Sequence, residues 1–193
     1  MGGYFINALL FLISTIFGFY LFALLLRFLF GLVRADFYNP LSVALVKLTN
    51  PLLLPVRRVI PGYGGWDWAM IVTLFAVQFL EITILGLVQG RIYGFFGIII
   101  WSIAELFGHT INIFIFSILI DALLSWIRPG PNPIEHLLYR LNYPLVNPVR
   151  RRMPFINGLD LSPFVVIIIL QLISLLIIIP LQDLGRALAL GWA

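Results

Sequence analysis

The segment Asn39 to Pro61 reads NPLSVALVKLTNPLLLPVRRVIP, and the segment Asn132 to Pro154 reads NPIEHLLYRLNYPLVNPVRRRMP. The two align without a gap. Asn39-Pro40, Pro51, Pro55, Arg57-Arg58, Pro61 and Asp67 return as Asn132-Pro133, Pro144, Pro148, Arg150-Arg151, Pro154 and Asp160, an offset of 93 at every position. Matched prolines together with an Asn, two arginines and an Asp make chance agreement a poor explanation, so the chain carries two tandem copies of one unit.

Each copy of the block reads as a short amphipathic helix. Asn-Pro is a helix start, with Asn as the cap and Pro in the first helical position. Behind Pro40 the apolar residues are Leu41, Ala44, Leu45 and Leu48; behind Pro133 they are Ile134, Leu137, Leu138 and Leu141. Both sets follow i, i+3, i+4, i+7 and mark one helical face. Lys47 and Arg140 match each other on the polar side. The expectation is a helix lying in the membrane interface, ended by the next proline, Pro51 or Pro144, and followed by a basic, proline-rich loop.

Outward from these blocks the chain is strongly apolar. It has 193 residues, 62% hydrophobic and only 10% charged, with a mean hydropathy of +1.08. A soluble domain of this size cannot hide that much apolar surface from water, so lipid is the solvent for most of it. Four stretches have the roughly 20 apolar residues that span a bilayer. They are expected near residues 4–33, 68–88, 95–127 and 162–184. The third is long, and a break near Gly108–His109 is the alternative to one continuous span. Met1 to Leu26 lacks the basic start of a secretion signal, so the first stretch is expected to be a retained span.

Charge selects among topologies. Arg34, Lys47, Arg57 and Arg58 follow the first span, and Arg128, Arg140, Arg150, Arg151 and Arg152 follow the third. Basic loops stay in the cytoplasm. Four spans put both rich loops on one side; five would separate them. The expected architecture is an all-α membrane protein of four transmembrane helices in two tandem parallel repeats, residues 1–90 and 91–193. Loops 34–66 and 128–161 are expected to face the cytoplasm from the cell (inner) membrane.

These residues resemble the YggT family, also called YlmG, of bacterial and plastid membrane proteins. The resemblance rests on Asp36-Phe37-Tyr38-Asn39-Pro40, on Pro55-Val56-Arg57-Arg58-Val59-Ile60-Pro61, and on the second copy, Asn147-Pro148-Val149-Arg150-Arg151 through Gly158, Asp160 and Ser162-Pro163. It covers nearly the whole chain. Arg27 precedes the first Asn-Pro, whereas the second unit carries Asp121 near the corresponding place, one residue out of register. The family has no assigned reaction. The resemblance implies a role in organisation or assembly at the membrane: bacterial members are linked to osmotic-shock tolerance or to the cell-division gene neighbourhood, and plastid relatives to cytochrome-complex assembly and nucleoid distribution.

Ionisable groups within the spans need an explanation, because each is costly in lipid. Glu105, His109 and Asn112 share one helical face at i, i+4 and i+7. They read either as an ion path (with His109 an axial haem ligand in one variant) or as a polar stripe holding helices together. Arg27 and Asp121 are expected either to pair across the repeats or to reach separately to the interface. Glu81, with Gln78, is expected to face the bundle. Arg57, Arg58, Arg150, Arg151 and Arg152 read as topology anchors or as a docking site for anionic headgroups or a partner complex. The chain has no cysteine and no phosphate-loop, Gly-x-Ser-x-Gly or His-Glu-x-x-His motif. No enzyme, cofactor, metal or nucleic-acid role is therefore expected. The leading expectation is a non-enzymatic membrane organiser, able to form homo-oligomers; the alternative is a small ion or osmolyte transporter.

Overall fold

Asn39 begins the first amphipathic helix as its spacing implies: its side-chain oxygen accepts from the Leu41 amide at 3.0 Å, and Pro40 takes the first helical position. The computed structural model describes residues 2–36, 38–127, 133–153 and 160–191. The helices are α1 (Gly2–Leu32), α2 (Pro40–Val59), α3 (Trp68–Val88), α4 (Phe95–Ile127), α5 (Pro133–Arg150), α6 (Ser162–Ile173) and α7 (Ile179–Leu190). A single π turn, Ser174–Ile178, joins α6 to α7 without a break. No strand forms among the described residues; the nearest thing is one bridge, Tyr63 to Trp66, across the turn made by Gly64 and Gly65.

Four helical stretches are long and apolar enough to cross a membrane: Gly3–Leu32, Trp68–Val88, Phe95–Leu124 and Ser162–Leu190. The protein is thus an all-α, multi-pass membrane protein. The third span is unbroken through Gly108 and His109, which removes the five-span alternative. The fourth runs beyond residue 184 to Leu190: Pro180 lies within one continuous helix, directly after the π turn, a local widening that accommodates a residue with no amide to donate.

The proline-containing helices α2 and α5 differ from expectation in two respects. Pro51 and Pro144 do not end them. α2 continues through Pro51 and Pro55 to Val59, and α5 through Pro144 and Pro148 to Arg150, so much of the basic loop is helix. The spacing explains the tolerance. Prolines four apart occupy the same face, and all four are exposed, so the carbonyls they leave unbonded sit where water or headgroups reach them. The buried stripe of α2 is also rotated from the predicted one: Ser42, Leu45, Thr49 and Leu53 face inward, while Ala44 and Leu48 face out. In α5 Leu137, Leu138 and Leu141 are buried as predicted.

α2 and α5 lie together at one end of the bundle. Leu45 and Leu53 of α2 share a core cluster with Leu137 and Leu141 of α5 and with the C-terminal half of α1. Arg140 donates to the Arg34 carbonyl at 3.0 Å, linking the two units directly; Arg34 exposes that carbonyl by adopting φ 50° beyond the end of α1. At the other end, α4 and α7 pack backbone to backbone. Gly97 lies against Ala189, and a Cβ on Gly185 would stand 2.6 Å from the Trp101 nitrogen. Small residues permit this closeness, as lipid-embedded helices require.

Candidate functional site

The polar groups of the repeat form two matching clamps. Asp67 caps α3, accepting from the Met70 amide at 3.2 Å, and its other carboxylate oxygen pairs with Arg57 at the end of α2. Ninety-three residues on, Asp160 accepts from the Ser162 amide at 2.9 Å and pairs with Arg150 Nε at 2.6 Å. Each clamp ties the end of an interfacial helix to the start of the following span. Burial alone pushes the Asp160 carboxyl upward, but the Ser162 hydrogen bonds and Arg150 outweigh it and hold the group below the usual carboxylate range.

A second matched pair ties the middle of each interfacial helix to the preceding span. Arg27, 8% exposed, donates from Nη1 to Thr49 Oγ1 at 2.5 Å, to Asn50 Oδ1 at 2.9 Å and to the Val46 carbonyl at 3.3 Å. In the second unit Asn142, the counterpart of Thr49, donates to Asp121 at 3.3 Å and accepts from Ser117 at 2.6 Å. The place is the same and the polarity is reversed. Arg27 and Asp121 therefore do not pair with each other; each is satisfied inside its own unit. The pseudo-symmetry suggested an interaction across the axis, but α2 supplies the partners of Arg27 and α5 that of Asp121.

The five candidate arginines separate into two groups. Arg57 and Arg150 are committed to Asp67 and Asp160. Arg58, Arg151 and Arg152 are exposed and take part in no ion pair among the described residues. Lys47 is also exposed on α2, about three turns before Arg58. Asn132, Pro154 and Arg128 lie outside the described residues.

In α4 the polar stripe does not form a continuous line. Glu105 accepts from Trp101 Nε1 at 2.8 Å, from Gln182 at 3.1 Å and from Arg186 at 3.3 Å, so it fastens α4 to α7. Arg186 also lies 5.3 Å over the Trp101 ring. His109 is half-buried with no hydrogen bond among the described residues, and Asn112 is exposed. Glu81 is buried in α3 and accepts from Gln78 at 2.9 Å. Among the described residues no three His, Cys, Asp or Glu side chains gather as a metal site.

Several participants escaped the sequence reading. Thr49 and Asn142 were legible in principle, as polar residues 93 apart on otherwise apolar helix faces. Gln182, Arg186 and the contact glycines Gly97 and Gly185 carry no local signal, since their roles depend on which helix packs beside them.

Taken together, two units of span, proline-containing interfacial helix, Arg–Asp clamp and span define a class: a membrane protein whose basic helices gather at one end. The sequence profile of the CCB3/YggT family matches residues 6–88 and 100–181, and the chain belongs to that family. An uncharacterised protein of Pseudomonas aeruginosa is 41% identical over 177 residues, covering 89% of this chain and 89% of its own. The uncharacterised protein YggT of Escherichia coli K12 is 36% identical over 186 residues, 96% of this chain and 97% of its own. A Vibrio alginolyticus protein is 36% identical over 172 residues, 88% and 93% of the two chains. No solved structure matches the chain.

Proposed function

We propose that this protein is a non-enzymatic organiser of the bacterial inner membrane, whose cytoplasmic end recruits anionic lipid, and through it a membrane protein complex, by way of Arg58, Arg151 and Arg152. The observation that carries this reading is the division of labour among the arginines. In each unit the first arginine of the pair is neutralised by its own aspartate, and the next stands exposed without an acidic partner among the described residues. An arginine near an anionic surface contributes about 1 kcal/mol, so three or more on one end bind headgroups usefully. The family's link to osmotic stress and cell division fits a protein that senses or arranges the lipid around it. The transporter alternative draws less support, because Glu105 is fully engaged in fastening α4 to α7.

The test is native mass spectrometry of protein released from nanodiscs of mixed phosphatidylglycerol and phosphatidylcholine. Wild type is expected to retain phosphatidylglycerol preferentially, and R58Q/R151Q/R152Q to lose that preference. Equal retention by the two proteins would overturn the reading.

A further inference from the structure

The carboxylates of the spans differ in how they are compensated. Glu105 is met by Trp101, Gln182 and Arg186, and Asp121 by Asn142. Glu81 has no cationic partner among the described residues. It accepts one hydrogen bond, from Gln78 Nε2, and the other side of that amide is unsatisfied: Gln78 Oε1 has no partner, and neither has Ser102 Oγ, although these residues are only 2% and 0% exposed. Buried oxygens without partners are uncommon and call for an explanation.

Helix register brings the three groups together. α3 and α4 run antiparallel, joined by a short turn. Ile82 and Ile98 pack in one cluster, the Phe79 and Phe95 rings lie 6.0 Å apart, Gly86 lies against Tyr93, and Leu74, Val77, Leu106 and Ile113 belong to the main core. Gln78 lies one turn from Ile82 toward Leu74, and Ser102 lies one turn from Ile98 toward Leu106, so both occupy the same layer between the clusters. The bond from Gln78 Nε2 to Glu81 Oε2, 2.9 Å long, holds the amide against the carboxylate in that layer. Glu81 is 7 residues from Val88, the end of α3 opposite the basic helices.

We propose that Glu81, Gln78 Oε1 and Ser102 Oγ form a binding site for a monovalent alkali cation inside the helix bundle. Carboxylate, amide carbonyl and hydroxyl oxygens are hard ligands, suited to such ions. One carboxylate balances one positive charge. A divalent ion would leave a net charge in a low-dielectric interior, where it is strongly disfavoured. Glu105 lies within electrostatic reach of Glu81, but Arg186 already offsets it, so the charge count at the site stays at one. A water molecule would satisfy Gln78 Oε1 yet leave the carboxylate uncompensated. This site is separate from the basic end invoked for lipid binding, and its failure would leave that reading intact.

The proposal is tested by thermal unfolding of the purified full chain in a titration of sodium or potassium chloride against N-methylglucamine chloride at constant ionic strength. Wild type is expected to show a saturable rise in Tm with at least one alkali ion. E81Q is expected to lose that rise while melting at or above the wild-type temperature in N-methylglucamine. S102A, which removes one ligand and adds no bulk, is expected to move the midpoint of the titration at least about threefold upward in cation concentration, as loss of one ligand weakens binding. A wild-type Tm indifferent to the cation would overturn the proposal. So would a rise that persists in E81Q, or an S102A midpoint equal to wild type. A Tm that responds to pH and not to the cation would also overturn it, identifying Glu81 as a protonated carboxyl.

Discussion

Thr49 and Asn142 hold the same place in their two units, 93 residues apart, yet the partners they meet have opposite charge. Arg27 donates to Thr49, and Asp121 accepts from Asn142. A duplicated backbone has kept the contact between span and interfacial helix while exchanging donor for acceptor. This is possible because an amide supplies both hydrogen-bond roles and a hydroxyl does likewise. The consequence is that each ionic residue is a local fastening, and the two units can be perturbed one at a time.

Arg27→Leu is expected to loosen α2 and leave α5 in place. The change removes three hydrogen bonds from one guanidinium and is expected to cost about 2–4 kcal/mol, the range for breaking buried charge-assisted bonds. Arg27→Lys is expected to recover only part, since all three bonds come from Nη1 and the shorter lysine side chain carries its nitrogen short of that position. Hydrogen exchange should show faster exchange across residues 40–59 and little change across residues 133–150. The double exchange R27D with D121R is expected to give no rescue, because the two side chains do not touch. Recovery of wild-type stability in the double variant would contradict the local fastening.

The Asp160 clamp has a pH signature. Its carboxyl is held below the usual range in the folded protein, so the group binds protons more readily when unfolded. Its stabilisation is therefore complete above the unfolded value of about 4 and is lost as pH falls through the lower folded value. Arg150 and Asp160 are 36% and 23% exposed, so solvent screening limits the pair to about 1 kcal/mol or less. Asp160→Asn should flatten the part of the acid-induced drop in Tm that lies below about pH 4, while lowering Tm slightly at neutral pH. An unchanged acid limb would show that the clamp contributes nothing to stability.

Gly185 separates close packing from mere small size. A Cβ there meets the Trp101 backbone, which cannot move aside as a flexible side chain would. Gly185→Ala is expected to cost about 1–3 kcal/mol through overpacking. Gly18→Ala in α1 has nothing within 4 Å of the added carbon, so it should be neutral or stabilise by up to about 1 kcal/mol through helix propensity. Thermal unfolding of the two variants side by side checks the pair. Equal effects would mean that α4 and α7 do not approach as described.

Much of this was legible in the sequence. The offset of 93, the Asn39-Pro40 start and the four apolar runs are local signals, and local signals survive without knowledge of packing. The proline stop at Pro51 misled because the rule concerns helices surrounded by their own kind, where a lost amide bond leaves a carbonyl stranded. On an exposed interfacial face that carbonyl is not stranded, and α2 runs on. The same limit hid the role of Glu105. Its spacing to His109 and Asn112 suggested a path, but the residues that engage it, Gln182 and Arg186, lie about eighty positions along the chain, separations of 77 and 81, and only α4–α7 packing brings them near.

Arg57 and Arg58 are adjacent, and of the two only Arg57 is in an ion pair among the described residues, so on the proposed lipid-binding role they should fail differently. Arg57→Gln breaks the pair with Asp67 and is expected to lower stability by up to about 1 kcal/mol, in keeping with a partly exposed ion pair. It should also free the loop at Gly64–Gly65, while leaving lipid retention nearly unchanged. Arg58→Gln should do the reverse: unaltered Tm, and weaker retention of phosphatidylglycerol by about 1 kcal/mol, roughly fivefold. Raising ionic strength should erase the Arg58 effect, because exposed charges are screened over about 10 Å at 0.1 M salt, and should diminish the Arg57 effect less, since its partner sits in contact. If both variants lost lipid equally, the aspartates would not be sequestering their arginines, and the whole basic end would act as one undivided charged surface.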